Sequence, residues 1–547
     1  MIEQIDVKPV FDRPRSGYVR DFKTFDVFVF NTIGFALGLA LSTNPAFIGS
    51  FAPSSNIVAV LVLGAVLSVF NGLTYGWFGG VMPSTGGDYV FVGRSLNHRL
   101  GFLTSWGFTA CQIYGMAMNL GWILSIGIAP AILTIGVAVD SVALVNFGVA
   151  LGTPAYMACG SFLLLFLYFA FAYNDMGLNR YVIYTLFGLA LLGPTLMLFV
   201  LFSHNTADFT SDYNSFMGRL FALLNKSGPT NDYYAFVTET AKQGGVTVDP
   251  AASWRASLQA MPLGFLCFIG FTYSVYVGGE VREPQKSQVR GILWSLALGF
   301  FVFVVGMGRY VDVVGQQFHS SVGFPAVGEK LGITLNSMNL FTGIMTQSLA
   351  LNVIMQVGNL MWFVLVPYVM LQVCAHNVIA WSCDRLLPQQ LLLRSGRSSA
   401  PWVSFLAICA VAAACIGANY FFGFTMVGAV ALAAVAYFLT GIGALYLPKQ
   451  RPDVFERAPG KLRVSFLGLT AFQIVGLVSA IGFAWIVYAS VAYPEISGGT
   501  RLRAIVVLFV VYASGLVLYE LRKAKLLRET TSKGVDLDAL FREIPKD

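Results

Sequence analysis

Apolar runs of about twenty residues recur through most of this chain, and no other feature constrains its fold as strongly. Runs of that length suit a helix crossing the ~30 Å hydrocarbon layer of a bilayer. Of 547 residues, 56% are hydrophobic and 11% are charged, where a soluble globular protein carries about 25% charged residues. The missing charge means that most of the surface faces something other than water. A single integral membrane domain explains the length more simply than several soluble domains do.

Twelve spans are read, at roughly 25–49, 57–81, 100–126, 155–173, 181–203, 260–279, 289–311, 345–382, 402–420, 425–447, 464–492 and 502–520. The apolar segment 127–150 is read as a continuation of the third span followed by a re-entrant or external stretch, because a further span there would invert everything after it. Charge placement supports this choice. With the N-terminus inside, most of the 34 Lys and Arg residues fall in inner loops and tails. The outer segments hold few beyond Arg219, Lys226, Lys242 and Arg255 of the long loop 204–259. That asymmetry follows the positive-inside bias and places both termini in the cytoplasm. It also accounts for the net charge of +7 without a nucleic-acid partner. Residues 1–23 are polar, and the first apolar run lacks the short core and small-residue cleavage pattern of a signal peptide. It therefore reads as a retained span.

The resulting organisation is a cytoplasmic segment 1–24, five spans within 25–203, an extracellular loop 204–259, five spans within 260–447, two further spans within 448–520 and a cytoplasmic tail 521–547. The loop 204–259 carries Tyr213, Phe216, Tyr233 and Tyr234 and is long enough to form a cap or to stay mobile. The tail opens with LRKAKLLRE, a basic helix leaving the membrane near lipid headgroups. All seven cysteines, Cys111, Cys159, Cys267, Cys374, Cys383, Cys409 and Cys415, lie within or at the ends of apolar runs with no CxxC pair. They read as free thiols, with no metal site and no cofactor implied.

In lipid a helix must satisfy its own backbone, so a break is tolerated only where it lines a cavity or packs on protein. Two spans carry the glycine and short polar residues that mark such a break: Asn31-Thr32-Ile33-Gly34-Phe35-Ala36-Leu37-Gly38 in the first, and Phe268-Ile269-Gly270-Phe271-Thr272-Tyr273-Ser274 in the sixth. Either alone is also what close helix packing uses. Five spans apart, at matching places in two five-helix halves, they point to the binding site of an inverted-repeat transporter. The positive end of a half-helix suits a carboxylate, and freed carbonyls suit an ammonium. No Lys, Arg, Asp or Glu lies at mid-span. Asp26, Asp88, Arg180, Glu280, Glu283, Arg309 and Asp384 fall near span ends or in loops. A strongly charged substrate is therefore disfavoured.

The sequence resembles the amino acid–polyamine–organocation (APC) superfamily of permeases over about residues 25–450. The match rests on the break at Ile33-Gly34, on Met82-Pro83-Ser84-Thr85-Gly86-Gly87-Asp88-Tyr89, on Gly279-Glu280-Val281-Arg282-Glu283-Pro284, and on Asp384-Arg385-Leu386-Leu387-Pro388. The resemblance implies an all-α integral membrane protein of LeuT-like fold, with a 5+5 inverted repeat and two C-terminal helices. It implies alternating-access transport of an amino acid or related amine, a neutral amino acid being favoured. Ile33, Gly34, Phe35, Ala36, Leu37, Gly38, Phe268, Ile269, Gly270, Phe271, Thr272 and Tyr273 would hold the substrate, with Gln112 and Tyr114 of the third span beside them. Pro83, Gly86, Gly87, Glu280, Glu283 and His376 would serve gating or structure.

The departures from the family bear on mechanism. Ala36 stands where a second glycine is common. Span five has no lysine to substitute for sodium, and no Ser or Thr lies between Leu349 and Trp381 to bind that ion. Solute exchange, proton coupling through another group and sodium coupling stay open. His376 occupies a position often filled by Arg and titrates in a physiological range when unperturbed. The four histidines are scattered, so a membrane enzyme lacks its catalytic cluster, and a channel would need polar rings or a filter repeat. The remaining alternatives are a solute sensor on a transporter scaffold and a polyamine or cationic amino acid carrier.

Overall fold

The computed structural model describes residues 20–174, 176–246, 248, 254–333, 335–395, 400–423, 429–456, 458–493, 496, 499–531, 541 and 543. The first rod is interrupted, as α1 (Thr24–Gly34) and α2 (Leu37–Phe51). After it come α3 (Ile57–Val81), the short α4 (Asp88–Ser95) and α5 (His98–Trp122). One π-helical stretch, Ile123–Ile128, carries α5 directly into α6 (Ala129–Ala138). The chain then turns into α7 (Val142–Leu151), which packs back on α6 where Gly136 meets Leu144 and Val145. The apolar stretch after residue 126 is thus part rod and part returning helix.

The bundle continues with α8 (Pro154–Ala172), α9 (Met176–Ser203), α10 (Thr206–Leu223) and α11 (Tyr233–Gln243). The second interrupted rod holds α12 (Trp254–Gln259) and α13 (Met261–Leu266), then turns and two 3₁₀ pieces, Tyr273–Val275 and Gly278–Glu280. Beyond it lie α14 (Pro284–Val314), α15 (Gln316–Ser321), α16 (Pro325–Leu331), α17 (Met338–Ile344), α18 (Leu349–Cys383), α19 (Trp402–Phe422), α20 (Ala429–Gln450), α21 (Pro452–Phe455), α22 (Gly460–Arg463), α23 (Ala471–Ala492) and α24 (Arg501–Thr531). Among the described residues, eleven helical stretches are long and apolar enough to cross a membrane. The second interrupted rod is not one of them, because its helices are short. The protein is an all-α, multi-pass membrane protein.

Local chemistry sets the ends. Asn56, Asn97 and Ser348 each accept a hydrogen bond from the N–H three residues on and so start α3, α5 and α18. Small residues let rods approach closely. A Cβ placed on Gly358 of α18 would lie 2.6 Å from the backbone nitrogen of Gly193 in α9, and one on Gly264 would lie 2.2 Å from the Val60 carbonyl oxygen of α3. The outward faces are apolar, with Phe166, Phe199 and Phe509 exposed, as lipid contact requires.

Candidate functional site

The site begins where α1 fails to continue. Ala36 is left-handed, with φ 48° and ψ 72°, so α2 starts one residue later with no side-chain cap. Its first-turn N–H groups form the positive end of a half-helix. In the second rod the chain leaves α13 in irregular turns, and Gly270 takes φ 110°. The two breaks meet backbone to backbone. A Cβ on Gly34 would lie 2.5 Å from the Gly270 carbonyl oxygen, and one on Gly270 would lie 2.4 Å from the Gly34 carbonyl group. Ile33, Phe35, Leu37, Phe268, Phe271, Thr272 and Tyr273 are buried around this contact, while Ile269 is half-buried. With the glycines touching, a solute fits between the breaks only if they separate.

The walls come from neighbouring rods. Phe35 and Phe268 both lie edge-on to Phe303 of α14. Gly38 faces Asn359 and Trp362 of α18. Thr272 shares a 3.1 Å hydrogen bond with the Tyr437 hydroxyl of α20. Gln112 of α5 accepts from the Tyr273 hydroxyl. Tyr114 lies two residues further on, about 200° around the same helix, and is half-exposed. The structure brings Gln112, but not Tyr114, onto the second break.

One buried clamp joins the two rods, and the sequence reading missed its members as site residues. Asn31 donates to Ser274 Oγ at 3.0 Å and accepts from the Ser274 N–H at 2.8 Å. Gln288 of α14 accepts from Ser274 Oγ at 2.7 Å and donates to its carbonyl at 3.0 Å. A short polar residue deep in an apolar run was the available signal. Asn359 carries the same signal, its Nδ2 donating to Ser42 Oγ at 3.0 Å.

The glycine loop after α3 lies beneath the second break. Pro83 enters it half-buried, and Gly86 and Gly87 take φ 102° and 48°. Gly86 N–H donates to the Tyr276 carbonyl at 3.0 Å, and Thr85 bridges Val277. There is no room for a side chain, since a Cβ on Gly86 would lie 2.6 Å from Ala380 and one on Gly87 would lie 2.8 Å from the Tyr276 ring.

Below that loop the N-terminal end of the bundle is tied shut. Glu280 and His376 are both buried, with His376 Nε2 2.8 Å from the carboxylate. His376 Nδ1 lies 2.7 Å from the Gln372 carbonyl, which only accepts, so Nδ1 bears hydrogen. Nε2 and the carboxyl then share one proton between them. The segment before α1 crosses the same end. Asp21 and Phe22 N–H groups both donate to the Glu280 carbonyl at 2.8 Å. Arg180 reaches Asp21 at 2.6 Å and Asp26 at 2.8 Å, and Arg282 reaches Asp21 at 2.8 Å. The Arg180 guanidinium holds the Asp21 carboxyl below the usual carboxylate range. Glu283 stands outside this group, exposed and paired only loosely with Lys286. A second buried cluster joins Asp384 to Tyr89, Arg94 and His98.

At the opposite end, α10 and α11 of the loop 204–259 lay Phe209, Tyr213 and Tyr234 on Phe318 and Phe341, with Tyr234 stacked 4.8 Å from Phe318. Both ends of the bundle are therefore closed over the paired breaks.

Two broken rods thus meet inside a polytopic helical membrane protein, with packed layers at both ends of the bundle. The chain belongs to the amino acid permease family of the APC superfamily, whose family model, described as amino acid permease, matches residues 22–514. Membership of that family makes it an amino acid transporter. No curated protein matches the chain.

Proposed function

We propose that the protein is a secondary transporter that moves a neutral amino acid, or a closely related amine, across the cell membrane by alternating access. Segments 25–203 and 260–447 act as two inverted five-helix halves, followed by two appended helices, with both termini in the cytoplasm. The observation that carries this reading is the contact between Gly34 and Gly270, where two interrupted rods bring their backbones together at one point. The first turn of α2 receives the carboxylate, and carbonyls of the turns around Gly270 receive the ammonium as the breaks separate. Gln112, Tyr273, Phe271, Phe268 and Asn359 shape the side-chain pocket. The segment before α1 and the Glu280–His376 pair form the cytoplasmic gate, and the aromatic cap of α10 and α11 forms the outer one.

A thermal-shift screen of the purified protein against amino acids and amines tests this, since a ligand of the folded state raises stability by RT ln(1 + [L]/Kd). A neutral amino acid is expected as the best hit, and proteoliposomes should accumulate it, with pH and sodium gradients varied separately. A hit that binds but never crosses would mark a sensor instead. A dicationic amine as best hit would overturn the neutral preference.

A further inference from the structure

We propose that Asp88 is the proton-binding group that couples transport in this protein, protonated while the glycine loop is seated under the second break and deprotonated when the loop leaves. The proposal rests on the transporter reading above and adds the coupling ion and its site.

Asp88 opens α4, directly after Gly86-Gly87, and is wholly buried. Its Oδ2 lies 2.8 Å from the Tyr276 hydroxyl, while its Oδ1 has no hydrogen-bond partner among the described residues. Burial pushes its pKa up to about 7, partly offset by Tyr276 and by the Tyr89 N–H. The ionisable groups facing it are phenols: Tyr276 of the second rod, Tyr75 of α3, Tyr437 of α20 and Tyr512 of α24. The charged groups of α4, α5, the end of α18 and the second rod are engaged with one another, as Arg94 and His98 with Asp384 and as Glu280 with His376. A carboxylate buried without a counter-ion is costly, and taking up a proton removes that cost.

The hydroxyl groups beyond it complete the argument. Thr440 Oγ1 donates to the Ala436 carbonyl at 2.9 Å, so across the 3.0 Å contact the Tyr75 hydroxyl is the donor to Thr440. The Tyr276 hydroxyl also lies against that of Tyr75. With Asp88 protonated and donating to Tyr276, the Tyr276 hydrogen is free to turn to Tyr75, which donates to Thr440, which donates to the Ala436 carbonyl. With Asp88 ionised, Tyr276 turns to the carboxylate and Tyr75 loses its donor. The proton state thus reaches α3, α20 and the second rod together. Tyr437, edge-on to Tyr75 at 5.2 Å, passes it to Thr272 beside Gly270. Opening this end requires Gly86 and Thr85 to part from Tyr276 and Val277, which also takes Asp88 off its donor and lets water reach it. The carboxyl then gives its proton to that water, and closing the loop recaptures one.

An acid-minus-alkaline infrared difference spectrum of the protein in liposomes tests this without any substrate. The wild type is expected to show the carbonyl stretch of a buried carboxylic acid titrating near neutral pH. Asp88→Asn removes that band. Tyr276→Phe keeps it and moves its midpoint to more alkaline pH, because the carboxylate has lost its donor. In flux, an inward proton gradient speeds wild-type uptake several-fold, and in Asp88→Asn the ratio with and without the gradient falls to about one. A band unchanged in Asp88→Asn, a midpoint unmoved in Tyr276→Phe, or gradient-driven uptake surviving in Asp88→Asn overturns the assignment. Absence of any solute flux by the wild type would instead sink the transporter reading, with the infrared band still judging Asp88.

Discussion

Ala36 is the residue on which the first break turns. A left-handed alanine costs about 1–2 kcal/mol relative to a helical one, and the buried surroundings hold it there. Ala36→Gly should therefore raise the protein's stability, by up to about 1 kcal/mol once the larger chain entropy of glycine is subtracted, read as a higher melting temperature. The position of the break within Asn31–Gly38 was not legible in the sequence, because a glycine on either side marked the region equally well. What fixed it is the Gly34–Gly270 approach, a contact between residues far apart in the chain. Gly270→Ala should have the opposite effect and abolish uptake, since a Cβ there meets the Gly34 backbone and φ 110° suits glycine alone. A Gly270→Ala protein that folds and transports at the wild-type rate would refute the meeting of the two breaks.

The pH dependence of stability also belongs to single residues. The folded pKa of Asp88 lies above the unfolded value of 3.8, at about 7. Its contribution to stability is then complete below pH ~4 and lost as pH rises through ~7. Asp88→Asn should melt like the wild type in acid and above it in alkali. Asp21 has the reverse sign. Its depressed pKa contributes stability at neutral pH that disappears as pH falls through the folded value. Hydrogen exchange in the segment just before α1 should accelerate in acid and at high salt, which screens its exposed partners.

At the scale of elements, the rods and their two interruptions could be read from hydropathy and from glycine in apolar runs. The continuation of α5 through its π-helical stretch into α6 and the return through α7 were legible only as one long apolar segment. Composition does not separate a rod from a hairpin of the same polarity. The buried charges were not legible at all. Asp88, Glu280, Arg94 and Asp384 sit in stretches that look like solvated loops, yet each is covered by another element of the bundle. The Glu280–His376 pair ties the end of the second rod to α18. Removing one partner of such a pair strands the other, at a cost of about 3–5 kcal/mol. Glu280→Gln and His376→Ala should each weaken this tie, and the double variant should lose much less than the sum. A double-mutant cycle read by melting and by initial uptake rate checks this, and strict additivity would show that the pair does not act as a unit.

For the whole molecule, the two closures differ in kind. One is ionic and hydrogen-bonded, built from Asp21, Asp26, Arg180, Arg282, Glu280 and His376. The other is a nest of rings around Phe318. Salt screens the exposed pairs of the first far more than the rings of the second, so under the alternating access proposed above the balance between the two openings should tilt with ionic strength. The two glycines pressed together between these closures bear on what could be carried. A passenger that lodges there acts as a wedge, and the width it forces between the rods is set by its own backbone, which all α-amino acids share. Such a lock would turn for many keys with the same shank, and discrimination would rest with the side walls.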